Sequence, residues 1–111
     1  KNIELTATCV RIPVFISHAE SINIEFEKEF TLEKISEALN ASEGCKVIDE
    51  RKDGGYITPV EATGKNETFI SRIRKDNSNK KAVNLWCVSD NLLRGAALNA
   101  VEIAEAYIKN N

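Results

Sequence analysis

Two apolar segments that flank a short polar stretch constrain the fold of this chain more than any other feature. Residues 69–75 and 84–89 are rich in aromatic and branched side chains, and residues 76–81 between them are polar. Aromatic and branched residues favour strands, and a short polar connection lets consecutive strands pair. The pattern therefore predicts an antiparallel β-hairpin. Its apolar residues are Phe69, Ile70, Ile73, Leu85, Trp86 and Val88.

Two more strands are predicted nearer the N-terminus. Val, Ile and Thr are frequent between residues 4 and about 17, which favours a strand. Pro13 places that strand at an edge or at a bulge, because proline has no N–H to donate to a ladder. Residues 21–27 then alternate between apolar and polar side chains. This period of two predicts a strand with one buried face.

A helix, a short strand and a turn are predicted in the middle of the chain. Thr31 is suited to cap a helix that runs to about residue 41, and Gly44 supplies its end. Residues 45–48 are expected to form a short strand. An Asp-Gly-Gly turn follows, and then an irregular stretch through Pro59.

Either Ser89 or Asp90 is predicted to cap a final helix that runs to about residue 108. Its apolar residues recur at steps of three and four, and nearly half of that face is alanine. Small residues allow close approach, so the face either packs on the small sheet or docks onto a domain absent from this chain. Together the elements predict an α+β fold, a mostly antiparallel sheet with two helices.

Size and charge exclude several classes of partner. A chain of 111 residues is enough for one domain but not for two. The formal net charge of −2 gives no electrostatic reason to expect nucleic acid or an anionic membrane as a partner. No apolar run approaches the roughly 18 residues that a membrane span needs. The basic residues near the hairpin surround Asp76, which indicates a solvated loop; they are Arg72, Arg74, Lys75, Lys80 and Lys81.

The cysteines and glycines form no recognisable metal or cofactor motif. Cys9, Cys45 and Cys87 are odd in number and lack the spacing of metal ligands. This predicts no metal site and favours a reduced, cytosolic setting. The five glycines form neither G-x-G-x-x-G nor a P-loop. The chain is therefore expected to bring no nucleotide-binding motif of its own.

His18 and Arg11 are the residues best suited to chemistry, although each also has an ordinary structural interpretation. His18 follows one predicted strand and precedes another; a lone histidine is more often structural or simply exposed, but imidazole suits proton transfer at neutral pH. Arg11 either lies on the solvent face of an edge strand or binds a carboxylate through its guanidinium fork. Seven positions separate the two, so in an unbroken strand they point to opposite faces. A shared site requires a bulge near Pro13 or a strand end before His18.

Three segments together resemble the C-terminal portion of bacterial aspartate-semialdehyde dehydrogenases. The first is Ala-Thr-Cys-Val-Arg-Ile-Pro-Val at residues 7–14 with His-Ala-Glu-Ser at 18–21. The second is Phe-Ile-Ser-Arg-Ile-Arg at residues 69–74. The third is Asn-Leu-Trp-Cys-Val-Ser-Asp-Asn-Leu at residues 84–92, continued by Gly-Ala-Ala-Leu-Asn-Ala at 95–100. In this order and spacing the segments cover nearly the whole chain.

The resemblance implies an enzyme that makes L-aspartate 4-semialdehyde from L-4-aspartyl phosphate with NADPH, in lysine, threonine and methionine biosynthesis. In that family a Cys thiolate attacks the acyl phosphate, phosphate leaves, and hydride reduces the resulting thioester. The resemblance also implies a cytoplasmic homodimer. Residues 1–111 would form a single C-terminal catalytic and dimerisation domain of the glyceraldehyde-3-phosphate-dehydrogenase-like type. The N-terminal domain, which binds most of the NADP(H), would be absent from this chain.

By position in these motifs, three residues take on expected roles. Arg11 matches the residue that binds the α-carboxylate of the substrate, and His18 matches the acid/base catalyst. Asn91 matches a position that contacts the nicotinamide cofactor. The family's nucleophilic Cys lies upstream of anything in this chain, and none of the three cysteines occupies its motif. The isolated chain is therefore expected to be inactive.

Two other interpretations of the sequence remain open. One is a related acyl-phosphate reductase such as N-acetyl-glutamyl-phosphate reductase, which uses the same chemistry. It is expected to match residues 85–97 less closely. The other is a dimerisation or interaction module without activity of its own, for which the alanine-rich final helix and the alternating strand at residues 21–27 are equally suited.

Overall fold

A four-stranded mixed sheet organises the fold, and the computed structural model describes residues 2–111 of the chain. The strands lie in the order β1-β4-β3-β2. A π-helical turn at Leu93–Ala97 leads into the last helix. In chain order the strands and α-helices are β1 (His18–Glu25), α1 (Leu32–Ala41), β2 (Cys45–Val47), α2 (Pro59–Ala62), β3 (Thr68–Lys75), β4 (Ala82–Ser89) and α3 (Leu98–Lys109).

The predicted hairpin is confirmed and forms the middle of the sheet. β3 and β4 pair antiparallel, and β1 pairs antiparallel with the other edge of β4. β2 instead pairs parallel with β3, because the chain between them crosses over through α2 before it returns. The α+β class is thus confirmed. The sheet is mixed, with two antiparallel pairs and one parallel pair, where a mostly antiparallel sheet was expected.

Apolar side chains cover both faces of this sheet. On one face, α1 packs over a buried cluster of Ile70, Ile73, Val83 and Leu85. On the other face, Phe69 and Val88 pack with Ala62 of α2, a short helix that the sequence did not predict. The β3–β4 hairpin is held rigidly because both of its strands bury apolar side chains on each face of the sheet.

A β-bulge in β3 sets which side chains reach the core. The register with β4 shifts between Ser71 and Arg74, and Arg72 has a φ of 57°. Asp49 accepts hydrogen bonds from the backbone N–H groups of Arg72 (2.7 Å) and Ile73 (3.1 Å), which the bulge withdraws from the ladder. Because of the extra residue, Ile73 joins the same buried cluster as Ile70.

The strand predicted between residues 4 and 17 is absent. Residues 2–15 are exposed and have no regular secondary structure. Val, Ile and Thr favour a strand, but a strand also needs a neighbour for its N–H and C=O groups. No part of residues 2–111 pairs with this segment. The interpretation of Arg11 as a residue in the middle of a strand is therefore wrong.

The terminal helix projects from the sheet, so the expectation that its alanine-rich face packs on the sheet is wrong. Val101, Ile103, Tyr107 and Ile108 are all exposed, and the helix contacts mainly the π-helical turn before it. The radius of gyration is 15.2 Å, whereas a compact domain of this length has about 13 Å. No helix within residues 2–111 is long and apolar enough to cross a membrane.

Arg94 in the π-helical turn joins the base of this helix to two loops. Its Nε donates to the carbonyl of Asn66 (2.6 Å), and its Nη2 forms an ion pair with Glu102 (2.6 Å). The guanidinium lies against Gly44, where any Cβ would collide with it. α1 ends at Ala41 with Ser42 as its C-cap, so the prediction that Gly44 supplies the end of the helix is wrong. Gly44, with a φ of 77°, lies in the turn before β2 and leaves room for this contact.

A buried carboxylate connects β4 to the terminal helix. Asp90 is 3% exposed, and its side chain accepts hydrogen bonds from the N–H groups of Gly64 (2.8 Å), Leu92 (2.8 Å) and Leu93 (3.3 Å). The final helix does not begin directly after Ser89 or Asp90 as predicted, because a turn at residues 91–92 and the π-helical turn precede it. Of the two residues, Asp90 is the one whose side chain accepts N–H groups at the start of that π-helical turn. These hydrogen bonds hold the pKa of this carboxyl below its ordinary value of 3.8, and the bond from Gly64 has a larger effect than those from Leu92 and Leu93.

We expect Asp90→Ala to destabilise the chain at pH 7 and to matter progressively less in acid. A carboxyl with a lowered pKa stabilises the fold above its unfolded pKa and loses that contribution as the pH falls through the folded value. The gap between the free energies of unfolding of the wild type and the variant should therefore begin to narrow below about pH 4. Urea titrations followed by Trp86 fluorescence at pH 7 and pH 3 measure this.

Asp53→Ala, in an exposed turn, is the matched control for the loss of one carboxylate. It should leave the free energy of unfolding nearly unchanged at both pH values. A gap between wild type and Asp90→Ala that stays constant down to pH 2 would contradict the role given to the charged form.

Candidate functional site

His18 lies at the first position of β1, directly opposite Ser89 at the end of β4. Its Nε2 is 2.9 Å from the hydroxyl oxygen of Ser89, within hydrogen-bonding distance. Its Nδ1 is 3.8 Å from a carboxylate oxygen of Glu20, beyond hydrogen-bonding distance. About half of the side chain, 49%, is exposed. The ring is thus held at one nitrogen and open to solvent elsewhere.

The residue before His18 has an unusual backbone conformation. Ser17 has a φ of 75°, in the left-handed region that costs a non-glycine residue about 1–2 kcal/mol. Ser17 is nevertheless buried, at 6% exposure. Its N–H donates to Oδ1 of Asn91 at 2.7 Å, and its hydroxyl lies 3.1 Å from that of Thr63. Thr63 donates its own proton to the carbonyl of Pro59 (2.9 Å), so Ser17 donates to Thr63.

Two of the three residues singled out in the sequence are thereby brought together. Asn91 follows the buried Asp90 and bonds to the backbone of Ser17, the neighbour of His18. Its side chain is exposed, and its Nδ2 has no hydrogen-bond partner within residues 2–111. An exposed amide donor of this kind fits a contact with the carboxamide of a nicotinamide.

Arg11 is not brought to this cluster. It lies in the irregular segment before β1, is exposed, and forms no hydrogen bond or ion pair within residues 2–111. The condition for a site shared with His18 was a bulge near Pro13 or a strand end before His18. β1 begins at His18, and Ser17 breaks the extended conformation there. Strand alternation therefore does not force Arg11 and His18 to opposite faces.

None of the three cysteines has the surroundings of an activated nucleophile. All three are free thiols. Burial raises the pKa of Cys87 to about 11, and the negative charge of Glu20 adds to the effect. A thiol with this pKa is almost entirely protonated at neutral pH. Within residues 2–111, no group of three or more His, Cys, Asp or Glu side chains is arranged to hold a metal ion.

Sequence reasoning missed Ser17, Thr63 and Ser89 as members of this cluster. Ser89 was considered only as a helix cap, although pairing of the alternating strand with residues 84–89 would have placed it near His18. No sequence pattern signals the positive φ of Ser17, because serine rarely adopts it without support from its surroundings. Thr63 follows α2, the short helix that the sequence did not predict.

The arrangement suits a single proton-transfer group. An imidazole that is oriented by a hydroxyl and half exposed can take a proton from, or give one to, a ligand that approaches from solvent. The residues around it are rigid, since Ser89 and Asp90 are buried and β1 begins at His18. Within residues 2–111, no cysteine thiol bonds to a member of this cluster.

Comparison with known proteins places the chain among semialdehyde dehydrogenases. The sequence model of the family described as semialdehyde dehydrogenase, dimerisation domain, matches residues 1–94. The aspartate-semialdehyde dehydrogenase of Aquifex aeolicus is 47% identical over 98% of this chain, and that of Campylobacter jejuni is 45% identical over the same share. Each match covers 32% of the relative, so the chain spans about a third of the curated relatives it matches.

Solved structures agree with the sequence comparison. Aspartate semialdehyde dehydrogenase II of Vibrio cholerae, crystallised as a complex with ASA, superimposes with a TM-score of 0.80 at 34% identity. That alignment covers 88% of this chain and 29% of the Vibrio chain. These relatives are aspartate-semialdehyde dehydrogenases, so the comparisons do not favour an N-acetyl-glutamyl-phosphate reductase. The chain belongs to the semialdehyde dehydrogenase dimerisation-domain family.

Proposed function

We propose that this chain is the C-terminal catalytic and dimerisation domain of a longer aspartate-semialdehyde dehydrogenase. The whole enzyme would convert L-4-aspartyl phosphate to L-aspartate 4-semialdehyde and phosphate, with NADPH as the hydride donor. This reaction feeds lysine, threonine and methionine synthesis, a cytoplasmic pathway. The observation that supports the proposal most is the similarity to aspartate-semialdehyde dehydrogenases over nearly the entire length of the chain.

His18 acts as the acid/base catalyst in this proposal. Its ring is half exposed and anchored to Ser89 through Nε2, which leaves Nδ1 for proton exchange with the reacting group. It would draw the proton from the nucleophilic thiol before the thiol attacks the acyl phosphate, and return a proton to the same sulfur when the aldehyde is released from it. A fixed ring loses little entropy when the substrate arrives, so anchoring by Ser89 favours this role.

Arg11 binds the α-carboxylate of the substrate. A guanidinium fork matches a carboxylate in a bidentate geometry, and the Arg11 side chain has no competing partner within residues 2–111. The segment that carries it exposes Ile3, Leu5, Val10 and Phe15. Apolar surface on this scale is typical of a segment that packs on a partner. We infer that the remainder of the enzyme orders this segment and brings Arg11 towards His18.

Asn91 contacts the nicotinamide cofactor, most of which is held by an N-terminal NADP-binding domain outside this chain. NADPH, when bound, supplies the hydride. The unpartnered Nδ2 of Asn91 would donate to the carboxamide, as expected for this position. Asn91 belongs to the same cluster as His18, so a cofactor held there would lie beside the acid/base group.

The nucleophilic cysteine comes from outside this chain. Cys87 is protonated at neutral pH, and neither Cys9 nor Cys45 makes a contact that would activate it. The isolated chain is thus inactive and contributes part of one pocket together with a homodimer contact. The family description as a dimerisation domain supports the homodimer, and the exposed apolar face of α3 supports further docking within the whole enzyme.

Phosphate-dependent oxidation of aspartate semialdehyde tests the proposed function. The full-length protein that contains this chain should form NADPH from aspartate semialdehyde and NADP⁺ when phosphate is present, and much more slowly without it. Absorbance at the NADPH band follows the reaction. N-acetyl-glutamate semialdehyde serves as the control substrate and should give little turnover. A folded full-length protein that shows no phosphate-dependent turnover would rule the function out.

Substitutions at His18 and Arg11 should separate chemistry from binding. In the full-length enzyme, His18→Asn should lower kcat by about 10²- to 10⁴-fold with a smaller change in KM. Arg11→Leu should raise KM for aspartate semialdehyde about 100-fold, since it removes a charged bidentate contact. Arg74→Leu, the same change at an exposed arginine of β3, should alter neither constant more than about twofold. Unchanged constants in either test variant would overturn that residue's role.

A further inference from the structure

The oxygen and the nitrogen of the Asn91 side-chain amide have different surroundings. Oδ1 accepts the N–H of Ser17 at 2.7 Å, a short hydrogen bond between residues 74 positions apart in the chain. Nδ2 is free within residues 2–111. Contact with a cofactor through Nδ2 would explain a donor at this position, but it does not explain why the acceptor end is bonded to a backbone N–H.

The backbone that Asn91 holds is the one that orients His18. Ser17 has a left-handed φ of 75°, and its carbonyl carbon connects directly to the nitrogen of His18, where β1 begins. A serine in this conformation is strained and relaxes towards negative φ unless contacts hold it. Two such contacts exist, the N–H to Asn91 and the hydroxyl to Thr63 (3.1 Å).

Contacts of the preceding residue, Asp90, hold Asn91 in place. Its neighbour Asp90 is buried and accepts three backbone N–H bonds, from Gly64, Leu92 and Leu93. The other neighbour of Asp90, Ser89, bonds to the ring of His18 at 2.9 Å. Two contacts therefore connect the end of β4 with His18. Ser89 bonds to the His18 ring directly, and Asn91 bonds to the backbone of Ser17, the residue before His18.

We propose that Asn91 is a positioning residue for His18, whose side-chain carbonyl holds Ser17 in the left-handed conformation from which β1 and the His18 ring start. This inference rests on the proposed function, in which His18 is the acid/base group. A shift of about 1 Å in such a group lowers turnover by as much as 100-fold. Loss of the acceptor should thus lower kcat, beyond any effect on the cofactor.

Asn91→Ala and Asn91→Asp separate the two ends of the side chain. Alanine removes both the acceptor and the donor, whereas aspartate keeps an oxygen for the Ser17 N–H and removes the Nδ2 donor. Because Asn91 is exposed, neither change is expected to prevent folding. Thr63→Val is a third variant, which removes the acceptor of the Ser17 hydroxyl and leaves Asn91 intact.

The first measurement needs no turnover. Amide hydrogen exchange and ¹⁵N-resolved NMR of the full-length protein that contains this chain report the Ser17 N–H and the His18 ring nitrogens. Asn91→Ala should speed exchange at Ser17 at least 10-fold and shift the His18 ring signals. Asn91→Asp should retain protection at Ser17. Protection at Ser17 that is equal in wild type and Asn91→Ala would overturn the proposal even if the enzyme proves to be a different one.

The second measurement uses the full-length enzyme. Asn91→Ala should lower kcat about 10- to 100-fold with KM for aspartate semialdehyde within about twofold of wild type. Asn91→Asp should recover most of that kcat, while KM for NADP⁺ stays raised in both variants. Thr63→Val should lower kcat in the same direction by a smaller factor.

The two measurements fail in different ways. Equal losses of kcat in Asn91→Ala and Asn91→Asp would assign the effect to the donor end alone and overturn the positioning role. An unchanged kcat in Asn91→Ala, with Ser17 exchange accelerated, would overturn it as well. A third outcome separates the two proposals. If the wild-type enzyme is inactive, its Ser17 N–H is protected, and the His18 ring signals shift in Asn91→Ala, then the proposed function is refuted and the positioning of the ring is supported.

Discussion

The buried carboxylate of Asp90 is the interaction on which the candidate site depends. It accepts the N–H of Gly64 from the loop after α2 and the N–H groups of Leu92 and Leu93 at the start of the π-helical turn. One side chain thereby joins the loop after α2 to the end of β4, which is 26 residues away in the sequence. The residues on either side of it, Ser89 and Asn91, reach the ring of His18 and the backbone of Ser17. Preorganisation of His18 follows from this junction, since its contacts come from one rigid corner of the fold.

Elements with a local signal could be predicted from the sequence, and elements that depend on a distant partner could not. The β3–β4 hairpin and the cap at Thr31 follow from neighbouring residues, and both are observed. The strand expected between residues 4 and 17 had the right composition but has no pairing partner. The bulge in β3 depends on Asp49, more than 20 residues away, which takes the N–H groups that leave the ladder. Such long-range contacts leave no periodic trace in the sequence.

The sequence indicated candidate residues for the site but not how they are arranged. His18 was singled out from the sequence itself, Asn91 came from the family resemblance alone, and the structure adds that they are joined through Ser17. Arg11 was singled out in the same way as His18, yet no contact within residues 2–111 connects the two. The reason is physical, because the segment that carries Arg11 has exposed apolar side chains and no neighbour to pack against. Ser17 escaped prediction because its positive φ is a property of the folded chain.

A crystal structure of the full-length protein with aspartate semialdehyde bound would test the central claim most directly. We expect the segment before β1 to pack against the rest of the enzyme, with the Arg11 guanidinium paired to the substrate carboxylate and the His18 ring within about 3.5 Å of the reacting carbonyl. The Ser17 N–H should remain bonded to Asn91. A bound substrate that contacts neither Arg11 nor His18 would contradict the account.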